Sequence, residues 1–319
     1  MRFAFRLPIA CHVRAALLFL LVMPAAPSHA AAQERRIDAP GILLLAHGGK
    51  DAWNAEVRRV AAEVESHYPV EIAFGMADRT AIQDAVRRLE VRGAREIIAV
   101  PLFVSSHSSV ITATEYLLGL RQEAPPELAA FARMRHGASG HHGAGHGGDT
   151  ADRTTPVESA LPIRMTDALN RHPLVGDILL DRARGISKSP EREAVILVAH
   201  GPVKDAENER WLADMAQLAE RVRSGGFARV DYLTVRDDAP EPTWSQAKAA
   251  LRASVESAHA AGLDVLVVPH LLAFGGIEEG LRKRLDGLEY RTASQALLPD
   301  ARLARWVIEA ASASAGSTR

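Results

Sequence analysis

The chain reads as an α/β protein: two tandem Rossmann-like lobes, each a small parallel sheet flanked by helices. Three observations predict this. Continuous apolar runs of strand length recur at 41–46 (GILLLA), 95–103 (REIIAVPLF), 194–199 (AVILVA) and 263–271 (LDVLVVPHL), and runs rich in Ile, Leu and Val suit strands buried on both faces. Segments of helical period alternate with them, which is what a parallel sheet with crossover helices requires. The whole order then occurs twice. Each half opens on an apolar run, a His-Gly pair and, after a gap, Lys-Asp-Ala-x-Asn: Lys50, Asp51, Ala52 and Asn54, then Lys204, Asp205, Ala206 and Asn208.

The first lobe is expected over 38–187 and the second over 190–319. In each, the helix after the Lys-Asp-Ala-x-Asn segment leads to a second strand, VEIAFGM (70–76) or RVDYLTV (229–235). Amphipathic helices closed by glycine follow at 81–93 and 244–262. Each feeds the next buried run directly. A last strand, a loop and a closing helix end each lobe, at 161–183 and 288–311.

Aromatic residues make up only 5% of the 319 residues, so Ala, Val, Leu and Ile must fill the core. The formal net charge of −1 gives no global argument for a nucleic-acid partner. Residues 1–30 stand apart. Arg2, Arg6 and Arg14 precede the short apolar run 15–23, and small residues at Ser28 and Ala30 follow it. This is the pattern of a cleaved export signal, with a periplasmic or secreted destination and no stable membrane association afterwards; the alternative is an uncleaved membrane anchor. Removal of the signal takes away three Arg and no acid, so the net charge falls from −1 to −4. The only cysteine, Cys11, leaves with it, so disulfides and cysteine-held metal centres are excluded from the mature chain.

Ligands of open α/β sheets bind beyond the carboxyl ends of the strands, near the switch in strand order. His47, His107 and His200 follow strands at such positions. His47 precedes Gly48-Gly49, which let the backbone turn tightly; its imidazole can bind metal, accept a proton, or hydrogen-bond a neighbouring loop. His107 lies among Ser105, Ser106, Ser108 and Ser109, which can contact a polar ligand or cap the next helix. Glu115 falls about two helical turns later, either beside His107 or in solvent. In the second half Gly275 stands where His107 would be, and His270 is either a secondary ligand or a buried strand histidine. Residues 136–149 place His136, His141, His142 and His146 among glycines, a composition that suits either affinity for borderline divalent metals or a flexible linker with incidental histidines.

The combination of AHGGKDAWNAE, GAREIIAVPLF and FVSSHSSVITATEYL resembles the class II tetrapyrrole chelatases, in particular the sirohydrochlorin cobalt/ferrochelatase (CbiX-type) group, here in tandem. The resemblance implies a lyase-class enzyme that inserts a divalent metal (Co, Ni or Fe) into a sirohydrochlorin-like tetrapyrrole. The metal is substrate, and no organic cofactor is implied. By the same resemblance His47 and His107 form the metal-binding and proton-accepting pair, with Glu115 as a proton relay and His200 and His270 as secondary metal ligands. The group's acid follows its histidine more closely than Glu115 follows His107, since Ser108 and Ser109 occupy those positions. The alternative is a non-catalytic periplasmic protein that binds or delivers metal or tetrapyrrole on the same fold.

Overall fold

In a computed structural model of the protein, which describes residues 39–133 and 152–316, the apolar runs become the central strands of two four-stranded parallel sheets. The first sheet comprises β1 (Gly41–Ala46), β2 (Val70–Phe74), β3 (Ile97–Pro101) and β4 (Ile163–Met165), in the order β2-β1-β3-β4. Leu44 pairs with Ile72 on one side and Val100 on the other. Every residue of β1 and β3 is buried, because each has a strand on both sides and helices on both faces; edge strand β4 is only half-buried. The second sheet, β5 (Glu193–Ala199), β6 (Arg229–Thr234), β7 (Asp264–His270) and β8 (Arg291–Thr292), has the corresponding order β6-β5-β7-β8. In both sheets the order reverses between the first and third strands, which creates a switch point at their carboxyl ends.

Nine α-helices lie among the described residues: α1 (Asp51–Val64), α2 (Arg79–Val91), α3 (Ser109–Leu117), α4 (Leu128–Arg133), α5 (Pro173–Ile186), α6 (Asp205–Arg223), α7 (Thr243–Ala260), α8 (Ile277–Arg284) and α9 (Arg302–Gly316). Local chemistry sets several starts. Asp78 caps α2 by accepting from the Ala81 amide, and Ser108 caps α3 through the Ile111 amide. Pro173 opens α5, where its missing N–H costs nothing. The short helices α4 and α8 have no counterpart in the sequence expectations.

Alternation along β1 divides the core. Leu43 and Leu45 pack on an outer face with Ile82, Val86 and Leu117 of α2 and α3. Ile42 and Leu44 face inward, into one continuous cluster that also holds Val195 and Leu197 of β5. The closing helices build that cluster by exchange. Helix α5, the last of the first half, packs on α6 and β7; α9, the last of the chain, packs on α1 and β3. At one crossing, a Cβ on Gly176 would stand 2.9 Å from the Arg221 side chain, so the helices approach as only glycine permits. The described residues of both halves accordingly belong to one compact unit.

The connection between the halves is fastened by Glu193. Its side chain accepts from Ser187 Oγ (2.5 Å), the amides of Lys188 (2.7 Å) and Ser189 (3.1 Å), and Arg291 (2.6 Å). Burial acts to raise this carboxyl, but the hydrogen bonds and Arg291 overcome it and hold it down at about 2.

The expected export signal with Cys11, and the segment carrying His136, His141, His142 and His146, lie outside the described residues. No helix of the described residues is long and apolar enough to cross a membrane.

Candidate functional site

The site is built from the loops at the carboxyl ends of β1 and β3. His47 follows β1 directly. Gly48 takes φ +80°, and a Cβ there would come 3.3 Å from Phe74 at the end of β2. The first turn of α1 secures this loop: Asn54 accepts from the Gly49 amide and donates to the Gly49 carbonyl, both at 2.9 Å. The Asn of Lys-Asp-Ala-x-Asn is therefore a loop staple. After β5, Gly201 takes φ +76° against Thr234, while Asn208 accepts from the Thr234 hydroxyl at 2.6 Å.

The His47 ring is exposed, and its Nδ1 lies 2.7 Å from the Gly48 carbonyl. A carbonyl can only accept, so this contact assigns the proton to Nδ1 and the lone pair to Nε2. Trp53 of α1 meets the ring edge-on, with centroids 6.4 Å apart. The other side of Trp53 reaches the second half, where a Cβ on Gly275 would touch its ring at 3.2 Å.

His200 pairs with Asp238, Nε2 to Oδ2 3.2 Å. Burial works against protonation of His200, but the bond to Asp238 and the charges of Asp238 and Asp237 raise its pKa above the usual value. The Asp238 carboxyl is lowered, first by the hydrogen bond from His200 and also by the charge of His200 and by the charge His47 carries when protonated. Histidines from both halves thus act on one carboxylate. Sequence reasoning passed over Asp238. Counted from the paired ends of β2 and β6, it stands where Asp78 caps α2. Pro240 and Pro242 precede α7, which starts only at Thr243, and Asp238 serves His200 instead of a helix.

His107 lies beyond β3 in a loop that its serines hold in place. The Ser106 amide donates to Asn170 Oδ1 (2.6 Å), and Ser106 Oγ accepts from the Ala168 amide (2.8 Å). The His107 amide donates to Ser105 Oγ (3.1 Å). Ser108 caps α3, as one of the two readings of these serines expects, and Ser105 and Ser106 fasten the loop. The loop then presses on α6: Trp211 Nε1 donates to the His107 carbonyl at 2.7 Å, and Ser109 Oγ donates to Glu207 at 3.0 Å. His107 Nε2 is 3.7 Å from Oδ2 of Asp214, which is 6% exposed.

The structure therefore places His47 and His107 at the same end of the first sheet. Among the described residues no group of three or more His, Cys, Asp or Glu side chains is arranged to hold a metal ion. Glu115 lines a groove of about 260 Å³ with Ser106, Arg121, Met165 and Asp167. Its direction follows from where α3 begins. With the helix starting at Ser109, Glu115 lies six residues on, about 240° around the axis from the residue that faces α6. His270 is the buried strand histidine of its two readings: it ends β7 with 2% exposure, neither ring nitrogen has a hydrogen-bond partner among the described residues, and burial lowers its pKa to about 4. Asp214 also escaped sequence reading, although its signal was present: a lone acid beside Trp211, Met215 and Leu218 on the buried face of α6.

Residues 41–186 match the CbiX family. A sirohydrochlorin cobaltochelatase of Methanothermobacter thermautotrophicus is 26% identical over 147 residues, 45% of this chain and 90% of that protein. Another, from Sulfolobus acidocaldarius, is 37% identical over 68 residues, 21% of this chain and 55% of that protein. Among solved structures, SirB from Bacillus subtilis with Fe3+ covers 87% of this chain and 98% of its own at a TM-score of 0.56 and 18% identity. The sirohydrochlorin chelatase SirB of subspecies spizizenii, in complex with cobalt, gives 0.53 and 18%, covering 87% of this chain and 97% of its own. At these identities the structural likeness concerns the fold: the two parallel sheets with flanking helices are a chelatase-like arrangement.

Proposed function

We propose that the protein inserts a divalent metal (cobalt, nickel or iron) into a sirohydrochlorin-like tetrapyrrole. The observation that carries this reading is the placement of His47 and His107 beyond adjacent strands at the switch point of the first sheet, within the part of the chain that matches the CbiX family. The relatives named as sirohydrochlorin cobaltochelatases support the same substrate class.

Insertion exchanges two pyrrole N–H protons for one dication, so the site must accept protons and present a partly dehydrated metal. With Nδ1–H given to the Gly48 carbonyl, His47 keeps a lone pair on Nε2, as either task requires. His107 supplies the second imidazole. The Asp238 carboxylate, which His200 holds ionised, stabilises the positive charge that His47 gains on taking up a proton. Glu115 has no part in this scheme.

Two further elements of the proposal rest on sequence alone. Residues 1–30 direct export, which amino-terminal sequencing of the mature protein would test by its cleavage point. The histidines of 136–149 form a secondary metal store, so deleting that segment lowers metal stoichiometry and leaves insertion in place.

Mass spectrometry of sirohydrochlorin incubated with Co(II), Ni(II) or Fe(II) and the protein tests the main reading. Metallated product in excess of the protein-free control is expected. Metal retained on the protein with no product above that control would instead favour a binding or delivery protein.

A further inference from the structure

The carboxylate that serves His107 comes from the other half of the chain. We infer that Asp214, on α6, is the positioning residue that fixes the ring and tautomer of His107; the catalytic consequence rests on the chelatase reading above. Three observations converge. Asp214 is more than nine-tenths buried, yet its Oδ2 has no hydrogen-bond partner among the described residues. The atom facing it is His107 Nε2 at 3.7 Å, which a small ring rotation brings into hydrogen-bond range. The main chain of His107 is already tied to the same helix, one turn earlier, by the Trp211 indole at 2.7 Å. Helix α6 thus holds the backbone of a first-half histidine and sets a carboxylate beside its ring.

The chemistry follows from donor and acceptor roles. A carboxylate can only accept, so Asp214 selects the tautomer with the proton on Nε2 and leaves the lone pair on Nδ1. His47 is fixed the opposite way, with its proton on Nδ1 and its lone pair on Nε2. The two imidazoles therefore offer different nitrogens to their ligand, and one of those choices is made by the second half. The competing role for Asp214 is a plain ion pair with Arg171, whose Nη1 lies 3.5 Å from the other oxygen.

Nitrogen-15 NMR of the histidine rings in the full mature chain, with His107→Gln to assign the signal, separates the roles. In the parent protein His107 should carry its proton on Nε2. Asp214→Asn should shift it toward the Nδ1–H form, and kcat for metallation should fall about 10–100-fold with KM little changed. Arg171→Ala should leave both readings as they were. If Asp214→Asn does not fold, Asp214→Glu takes its place: with the carboxylate retained, it should preserve the Nε2–H form. An unchanged tautomer in Asp214→Asn, an Arg171→Ala variant that reproduces its effects, or an Asp214→Glu variant that folds but loses the Nε2–H form would overturn the inference. If the parent protein metallates nothing, the chelatase reading fails, while the tautomer still decides the role of Asp214.

Discussion

His47, His107, His200 and His270 have four different environments, and those environments sort their roles. His47→Ala should cut metallation by about 100-fold or more, the scale of a lost acid–base or metal-transfer group. His200→Ala should cost less than about tenfold, because its pairing with Asp238 leaves His47 and its loop intact. Initial rates with the two variants measure the difference, and equal losses would place the site elsewhere. His270 affects stability instead. Its folded pKa of about 4 lies below the ordinary 6.5, so the unfolded chain takes up the proton first. The stability it contributes is complete above pH 6.5 and is lost as the pH falls toward 4, by about 3 kcal/mol in total. Urea titrations near neutral pH and near pH 5 should differ by about 2 kcal/mol on this account, and His270→Leu should flatten the difference.

Among the elements, the strands were the most legible in sequence, because β1, β3, β5 and β7 are central and need apolar residues on both faces. Helices α4 and α8 escaped notice because they are short and bury few side chains, so they leave little periodic trace. The site was legible only in part for a related reason. His47 and His107 announce themselves through their own strand and loop neighbours. Asp214 and Asp238 gain meaning only when α6 and the loop after β6 are folded against residues distant in sequence. The start of α3 soon after His107 was legible in the serines, since Ser108 is its cap. The Glu193 fastening yields an element-scale prediction. Its carboxyl is held at about 2, below the ordinary 4.5, so its contribution is complete above pH 4.5 and is lost as the pH falls toward 2. Glu193→Ala should lower stability near neutral pH by about 3 kcal/mol, since it removes the carboxylate shared by Ser187, two linker amides and Arg291. Denaturant unfolding would show this as a lower midpoint.

At the scale of the whole molecule, the exchange of α5 and α9 makes the halves interdependent. A fragment ending at residue 187 would expose the face of α5 that packs on α6 and β7 and would strip α9 from α1 and β3. That fragment should be unfolded or aggregated, and the intact chain should unfold in one cooperative step by circular dichroism. Separate transitions for the two halves would mean that the shared core contributes little. The same interdependence brings Trp211 and Asp214 to His107 and Asp238 to His47, so a site that reads as belonging to the first half is completed by the second.

The most direct measurement is the initial rate of cobalt insertion into sirohydrochlorin, followed by absorbance, for the parent protein, His47→Ala and His107→Ala. The account predicts insertion above the spontaneous rate for the parent and near-spontaneous rates for both variants. Insertion that survives the loss of both histidines would contradict it.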